Sequence, residues 1–191
     1  MPRPSLKAQR SEEILDAYER CVSRYGVEGA TLEKIAEEAQ LQRSLLRHNV
    51  GNRDDLLYAL VDRFIPKTMN DSKLLESYIS SKTTPKEFIN YLFDESYSDK
   101  QSILVAMALI IAAPNYPKIR PRLQKWSEHF TKSIIRTLKQ INPKAKPSDY
   151  RIVAAGLVGI YFNVESLSPL GSMKTFRSDS KIAAIRLIES I

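Results

Sequence analysis

The chain has 191 residues, 43% of them hydrophobic and 27% charged, which is the balance of a globular protein with one large or two small domains. A single Cys and two His exclude an intrachain disulfide and leave too few ligands for a zinc site. The longest apolar run, residues 103–113, is too short to span a bilayer, and no secretory signal follows the N-terminal residues. We therefore expect a cytoplasmic protein with no membrane span, metal or organic cofactor.

The net charge of +7 is unevenly distributed along the chain. Residues 1–65 contain 10 Lys and Arg against 11 Asp and Glu, whereas residues 66–191 contain 19 against 11. Between Ala39 and Arg53, however, no acid occurs, although three arginines lie in that stretch. Bulk charge therefore does not identify a nucleic-acid surface, but this local stretch is a candidate for one.

Two helices are predicted at the start of the chain. Apolar residues recur at helical spacing from Ile14 to Tyr25, and Gly26 is a natural end for that helix. Thr31 then precedes a short helix over residues 32–39, because its hydroxyl can accept hydrogen bonds from the free amides of the first turn.

A third, shorter helix is predicted over residues 42–47, and Leu45 and Leu46 are expected to pin it to its neighbours. Gly51 breaks the chain, and Asn52 with Asp55 three residues later fits the start of a fourth helix. Two short helices joined by about four residues form a helix-turn-helix outline. The second helix of that motif lies in the major groove of DNA, so its outward side chains are candidate readers of bases and phosphates.

These outward side chains are Arg43, Ser44, Arg47, His48 and Asn49. We predict that they contact DNA, and that Lys7 and Arg10 follow phosphates or the minor groove. The alternatives are a solvated basic helix face and, for Lys7 and Arg10, a solvated tail.

Beyond Pro66 the sequence predicts about five further helices, near residues 85–95, 99–113, 117–141, 148–167 and 181–190. Thr84, Pro85 and Glu87 fit a capping box with proline at the first helical position. Residues 152–167 are apolar nearly all round, which predicts a buried helix. The predicted fold class is all-α, with a three-helix helix-turn-helix domain in residues 1–65 and a helical bundle in residues 66–191.

Sequence motifs for catalysis are absent from the chain. There is no GxxxxGK[ST], HExxH or GxSxG motif, and no GxGxxG after a predicted strand. The two His and one Cys lie on different predicted elements, which leaves little for nucleophilic chemistry. We therefore do not predict an enzyme.

The first third of the chain resembles the TetR family of transcriptional repressors. The match covers about residues 8–65 and rests on Arg10, Ile14, Leu15, Ala17, Tyr25, Gly26, Thr31, Ile35, Ala36, Ala39, Leu41, Leu46, Gly51, Arg53, Asp54, Asp55, Leu56 and Leu57. The sequence departs from the family at Gln40, where the family usually has Gly. It also departs where the family favours an aromatic–any–His–aromatic segment, because those positions are Arg47, His48, Asn49 and Val50.

The resemblance implies a homodimeric repressor that binds a palindromic operator and is released by a small-molecule effector. It places ligand binding and dimerisation in the second bundle, with the last two helices forming the dimer. Arg53 matches in charge a Lys of the family at the start of the fourth helix, where a phosphate would meet the helix N-terminus. The predicted DNA-binding residues are then Lys7, Arg10, Thr31, Gln42, Arg43, Ser44, Arg47, His48, Asn49 and Arg53.

Candidate residues for the ligand pocket are polar or aromatic and lie near the ends of apolar helices: Tyr97, Met107, Trp126, His129, Phe130, Tyr161, Phe162, Asn163 and Glu165. Asn163 and Glu165 are informative because a polar side chain late in a buried helix needs a partner. The alternative is that these side chains belong to an ordinary core.

A second basic feature lies in residues 118–146, which contain nine Lys and Arg but one acid, Glu128. Lys125, Lys132, Arg136 and Lys139 fall on one helical face. This face is either solvated or binds an anionic partner. Two alternative functions therefore stay open: a nonspecific nucleic-acid binder acting through this face, and a helical ligand- or protein-interaction module without sequence-specific DNA binding.

Overall fold

The computed structural model describes residues 6–94 and 99–191, and the regular elements in those ranges are helices, with no strand. They are α1 (Leu6–Gly29), α2 (Leu32–Glu38), α3 (Arg43–Val50), α4 (Arg53–Ser77), α5 (Pro85–Leu92), α6 (Lys100–Ala112), α7 (Arg120–Ile141), α8 (Pro147–Ser166) and α9 (Lys174–Glu189), with a short 3₁₀ turn at Ser168–Leu170 before α9. The predicted all-α class is confirmed.

The chain divides into two compact units that are not each continuous in sequence. One unit comprises Met1–Pro66 and Gln101–Leu123, and the other comprises Lys67–Lys100 and Gln124–Ile191. The sequence suggested a single division between residues 65 and 66. The structure has a division next to that point, but it also groups residues 101–123 with the first unit.

Long-range contacts attach this later segment to the first unit. Arg122 forms an ion pair with Asp62, and the Lys118 ammonium lies 5.3 Å from the centre of the Tyr58 ring. These contacts join residues about 60 positions apart in the chain, so the periodicity of the sequence does not reveal them.

The first unit is built around the apolar face of α1. Ile14 and Tyr18 on that helix are fully buried, together with Leu46 from α3 and Leu57 from α4. Arg63 of α4 extends across to α1, where it donates hydrogen bonds to the carboxylates of Asp16 and Glu19. Apolar burial and this charged clamp together hold the three-helix arrangement on the longer α4.

The second unit has its own core, in which α8 packs against α9 and α9 against α5. Its largest fully buried side chains include Phe88 and Phe93, and Leu138, Leu157 and Ile188 complete the same cluster. The predicted capping box at the start of α5 is confirmed: the Glu87 amide donates to Thr84 Oγ1 at 3.2 Å, and the Thr84 amide donates to Glu87 Oε2 at 2.8 Å.

α4 continues through Pro66 to Ser77, although proline cannot donate a helical hydrogen bond. Contacts made by the later half, such as Trp126 Nε1 donating to Thr68 Oγ1 at 2.8 Å, offset that loss. α9 begins at Lys174 rather than near residue 181, because Arg177 is held by tertiary contacts within its first turns.

The prediction that residues 152–167 are buried all round is also wrong for the single chain. Val153 and Leu157 are buried, but Ile152 is 68% exposed. By length and composition, Pro147–Leu170 could cross a membrane, and 28% of its most apolar window is buried inside the chain. α8 therefore presents a long apolar face that the single chain does not cover.

Candidate nucleic-acid interface

The turn between α2 and α3 has a defined geometry at both of its ends. Thr31 caps α2 as predicted, because its hydroxyl accepts from the Lys34 amide. At the other end, the Leu41 amide donates to the Ala36 carbonyl at 2.9 Å and the Gln40 amide to the Glu37 carbonyl at 3.1 Å. This pair of bonds forms a Schellman motif, in which the residue after the helix C-cap has a left-handed backbone conformation.

That left-handed residue is Gln40, with φ of 54°. A residue that carries a side chain is strained in this backbone conformation, whereas glycine is not. Glycine would therefore suit the position. The departure from the family pattern at Gln40 therefore changes the residue but not the turn.

α3 is anchored by one leucine and not by two. Leu46 is fully buried beneath the helix, but Leu45 is 44% exposed. The predicted anchoring role of Leu45 is therefore wrong, because the helix turns it outward among the polar residues. An exposed leucine on a basic helix is a side chain that can contact a thymine methyl group, and the sequence reading did not include it.

The break between α3 and α4 requires glycine. Gly51 has φ of 80°, and a Cβ at this position would overlap the Asp55 carboxylate. Asn52 caps α4 as predicted: the Asp55 amide donates to Asn52 Oδ1 at 3.0 Å, and the Asn52 amide donates to Asp55 Oδ2 at 2.9 Å. Two reciprocal hydrogen bonds thus fix the direction in which α4 leaves α3.

Most of the predicted DNA-binding side chains lie on the surface of the first unit. The exposed ones are Lys7, Arg10, Thr31, Gln42, Arg43, Ser44, Arg47 and His48, while Asn49 and Arg53 are half-buried. Arg47 and His48 form no ion pair with any residue that the structure describes. Arg43 instead lies 2.5 Å from the Glu33 carboxylate of α2, and Asn49 donates to its own helix at the Leu45 carbonyl.

The Arg53 side chain forms hydrogen bonds with other residues of the first unit. Its Nη2 donates to the Val27 carbonyl at 2.6 Å and to the Glu28 carboxylate at 3.0 Å. Tyr116, from the connection between α6 and α7, hydrogen-bonds to the same carboxylate, and burial together with that bond raises the pKa of its hydroxyl. Arg53 therefore ties the start of α4 to the end of α1, a role that only the three-dimensional contacts reveal.

The pocket candidates do not form one site. Tyr97 lies outside the described residues, Met107 belongs to the first unit, and Asn163 is exposed on α8. The structure brings together the rings of Trp126, Phe130, Tyr161 and Phe162, with neighbouring ring centres 5.5–6.1 Å apart. These rings pack on one another, as in the core alternative.

The two remaining pocket candidates, His129 and Glu165, are polar. His129 Nε2 is buried and has no hydrogen-bond partner among the described residues. Glu165 is 2% exposed, and its carboxylate lies 3.0 Å from Arg177 Nη1 of α9. The sequence reading predicted that Glu165 needs a partner, but it did not identify Arg177.

Most of the predicted basic face of α7 has partners within the second unit. Arg136 donates two hydrogen bonds to the Glu76 carboxylate, at 2.6 and 2.9 Å, and Lys132 pairs with Glu128 on the same helix. Lys139 lies over the Tyr150 ring at 5.9 Å. Lys132 and Arg136 thus pair with carboxylates, as Arg43 does on α3, whereas Lys125 and Arg47 have no ion pair among the described residues.

The chain is similar over most of its length to transcriptional regulators. It is 23% identical over 166 residues to the HTH-type transcriptional regulator BetI of Brucella canis, covering 84% of this chain and 82% of that protein. The BetI of Burkholderia ambifaria is 19% identical over 144 residues, covering 75% of this chain and 67% of that protein. No protein-family model matches the chain.

Solved structures share the fold. A TetR-family transcriptional regulator from Cytophaga hutchinsonii superposes with a TM-score of 0.78 at 15% identity, covering all of this chain and 98% of the other. A TetR-like transcriptional regulator from Rhodococcus sp. RHA1 gives 0.68 at 17% identity, covering 99% of this chain and 96% of that one. The multidrug binding protein EbrR, complexed with imidazole, gives 0.62 at 21% identity, covering 93% and 94%. The fold is therefore that of TetR-like regulators.

Proposed function

We propose that this protein is a TetR-type, DNA-binding transcriptional regulator whose α3 enters the major groove. The observation that carries the proposal is the α2–turn–α3 geometry, in which Leu46 buries one side of α3 and leaves a basic side exposed. Arg47 and His48 on that side have no ion pair among the described residues. Their positive or polar groups are therefore available to phosphates and base edges without breaking an internal contact.

The exposed residues of α3 divide into two roles under this proposal. Arg43, Ser44 and Leu45 lie at the N-terminal end of the helix, the part that reaches base edges in helix-turn-helix proteins. Arg47 and His48 follow and would contact the phosphates, together with Lys7 and Arg10 of α1 and with Thr31 and Gln42. Asn49 and Arg53 already donate to backbone carbonyls of the unit, so we assign them to positioning the helix.

We propose that the regulator acts as a homodimer on a palindromic operator. The support is the uncovered apolar surface of α8 and α9, where Ile152 and Ile182 are 68% and 45% exposed. Pairing of these helices between two copies would remove that surface from water. Two α3 helices would then meet half-sites about 34 Å apart on one side of the duplex.

Repression, release by a small ligand and a cytoplasmic location complete the proposal. They are supported by the likeness to transcriptional regulators of this fold and to the multidrug binding protein EbrR, which was solved in complex with imidazole. Release would follow if the ligand favours a spacing of the two α3 helices that no longer matches the half-sites.

The test is selection of binding sites from a random duplex pool with the purified protein at near-physiological salt. We expect an enriched near-palindrome, because a dimer presents two copies of α3. Binding that ignores sequence and weakens with salt would instead favour the α7 surface. If the protein retains no duplex, the proposal is rejected, and the alternative of a helical interaction module without sequence-specific DNA binding is favoured.

A further inference from the structure

A cavity lies at the end of the second unit where α5, α8 and α9 meet. Its volume is about 790 Å³, within the range of about 300–1,000 Å³ that small-molecule sites occupy. Its wall includes Phe93 after α5, Val164 at the end of α8, and Met173 and Phe176 at the start of α9. Of the residues predicted for the pocket, the described lining includes Glu165 but none of the packed rings of Trp126, Phe130 and Phe162, so the cavity overlaps the predicted pocket only at Glu165.

The floor of the cavity is a buried ion pair. The Arg177 Nη1 lies 3.0 Å from the Glu165 carboxylate, and the Arg177 Nη2 donates to the Phe93 carbonyl at 2.9 Å. The guanidinium also lies 6.0 Å from the centre of the Phe93 ring. Because Arg177 and Glu165 compensate each other, the floor is fixed in position and contributes little net charge.

The rim of the cavity is positively charged. Lys100, Lys174 and Lys181 line it, and none of them pairs with a carboxylate in residues 6–94 or 99–191. The acids in the described lining are Asp94 and Glu165, and Glu165 is already paired with Arg177. An anion entering the cavity therefore meets an excess of positive charge, whereas a cation would be repelled.

Apolar residues line the same cavity as these lysines. Met173 is 38% exposed and Phe176 is 37% exposed, although both side chains line the cavity wall. A ligand that carries an apolar part could cover them while its anionic group stays at the rim.

We propose that this cavity binds a small amphiphilic organic anion, with its charged group between Lys100, Lys174 and Lys181 and its apolar part against Met173 and Phe176. Binding itself depends on the second unit alone. That such an anion is also the effector of a regulator rests on the proposed DNA-binding function.

The experiment compares three probes of equal chain length: decanoate, decyltrimethylammonium and decanol. Each is titrated into the full-length protein by calorimetry at low and at moderate salt. We expect saturable binding of decanoate that weakens with salt, and at least about tenfold weaker binding of the other two. Equal binding of the three probes would show that charge has no part and would overturn the proposal.

Two matched variants locate the site. The triple variant Lys100→Gln, Lys174→Gln, Lys181→Gln should bind decanoate about tenfold more weakly, since three charges leave the rim. The control Lys82→Gln, Lys144→Gln, Lys146→Gln removes the same charge from exposed positions outside the cavity lining and should bind within about twofold of the original chain. An equal loss in both triples would assign the effect to net charge and reject the cavity.

The chain's one tryptophan provides a second readout. Trp126 contacts the Phe162 ring, Phe162 contacts Tyr161, and Tyr161 contacts Phe93 in the cavity wall, with ring centres 5.7–6.1 Å apart. Decanoate should therefore change the tryptophan emission with the same midpoint as in calorimetry.

The binding titration contains no DNA, so its failure rejects the cavity proposal and leaves the DNA-binding proposal in place. Failure to select an operator rejects the proposed function and leaves the binding result in place. If both succeed, decanoate should alter operator affinity in the original chain and in the control triple, and at about tenfold higher concentration in the cavity triple.

Discussion

α3 and α7 are both basic helices in sequence, but their charges have different surroundings. On α3, Arg43 pairs with Glu33 of α2 through exposed side chains, whereas Arg47 and His48 have no charged partner among the described residues. On α7, Arg136 is bound to the less exposed Glu76 through two hydrogen bonds, and Lys132 pairs with Glu128 on the same helix. The number of cations on a helix therefore does not distinguish a nucleic-acid surface from a structural one; the contrast lies between Arg47, which has no ion pair among the described residues, and Arg136, which Glu76 holds.

The largest expected effect comes from removing the two arginines of α3. The double variant Arg43→Ala, Arg47→Ala should lower operator affinity by about 100-fold or more, since each contact to a base edge or phosphate is worth roughly 1–3 kcal/mol. Fluorescence anisotropy with the selected site measures it, and the dependence of affinity on salt should become shallower.

The matched control for this prediction is on α7. Lys132→Ala with Lys139→Ala removes the same charge from the other basic helix, and its operator affinity should stay within about twofold of the original chain. Unchanged affinity in the α3 variant, or an equal loss in both, would remove the distinction between the two helices.

The second prediction concerns how much the Arg136–Glu76 pair on α7 contributes to the free energy of unfolding. Arg136→Ala should lower the free energy of unfolding by about 1–2 kcal/mol, because Glu76 loses two charge-assisted hydrogen bonds in a partly exposed site. Urea unfolding followed by circular dichroism measures this change. Lys125→Ala, on the same face but without an ion pair among the described residues, should change it by less than about 0.5 kcal/mol.

The third prediction is that the free energy of unfolding depends on pH through the Glu76–Arg136 pair. The Arg136 guanidinium and the Ser133 hydroxyl hold the pKa of Glu76 below its usual range. A lowered pKa in the folded state adds stability above the ordinary Glu pKa of about 4.3, and this stability is lost as pH falls through the lower folded value.

Unfolding measured from pH 7 to pH 3 tests this sign. Glu76→Gln should be less stable than the original chain at pH 6, and the gap should close as the solution becomes acidic. A difference in the free energy of unfolding that stays constant down to pH 3 would show that the carboxylate charge does not contribute to stability.

Local signals in the sequence predicted the helix caps correctly. The caps at Thr31, Asn52 and Thr84 depend on residues three positions apart, and the structure has each of them. The predicted orientation of Leu45 is wrong, although two adjacent leucines on a helix can both be buried, as Leu56 and Leu57 are on α4. Which leucine of α3 is buried depends on the packing of that helix against α1 and α2.

Long-range contacts explain the other differences between the sequence reading and the structure. The place of Arg53 at a helix start predicts a phosphate contact, but its partners Val27 and Glu28 lie 26 and 25 residues away in the chain. The early start of α9 likewise depends on Arg177 reaching Phe93, 84 residues earlier in the chain. Charge and spacing along the sequence contain no information on such contacts.

The smallest expected effect is at the turn that presents α3. Gln40 has a left-handed backbone, which costs a side-chain-bearing residue roughly 1–2 kcal/mol, whereas glycine loses about 0.5–1 kcal/mol of chain entropy on folding. Gln40→Gly should therefore raise the free energy of unfolding by about 0.5–1 kcal/mol. Gln40→Ala keeps the strain and should leave stability nearly unchanged. If the two variants shift the urea midpoint equally, backbone strain at Gln40 is not the cause; if only glycine stabilises, the Schellman turn holds α3 in position at a cost in stability.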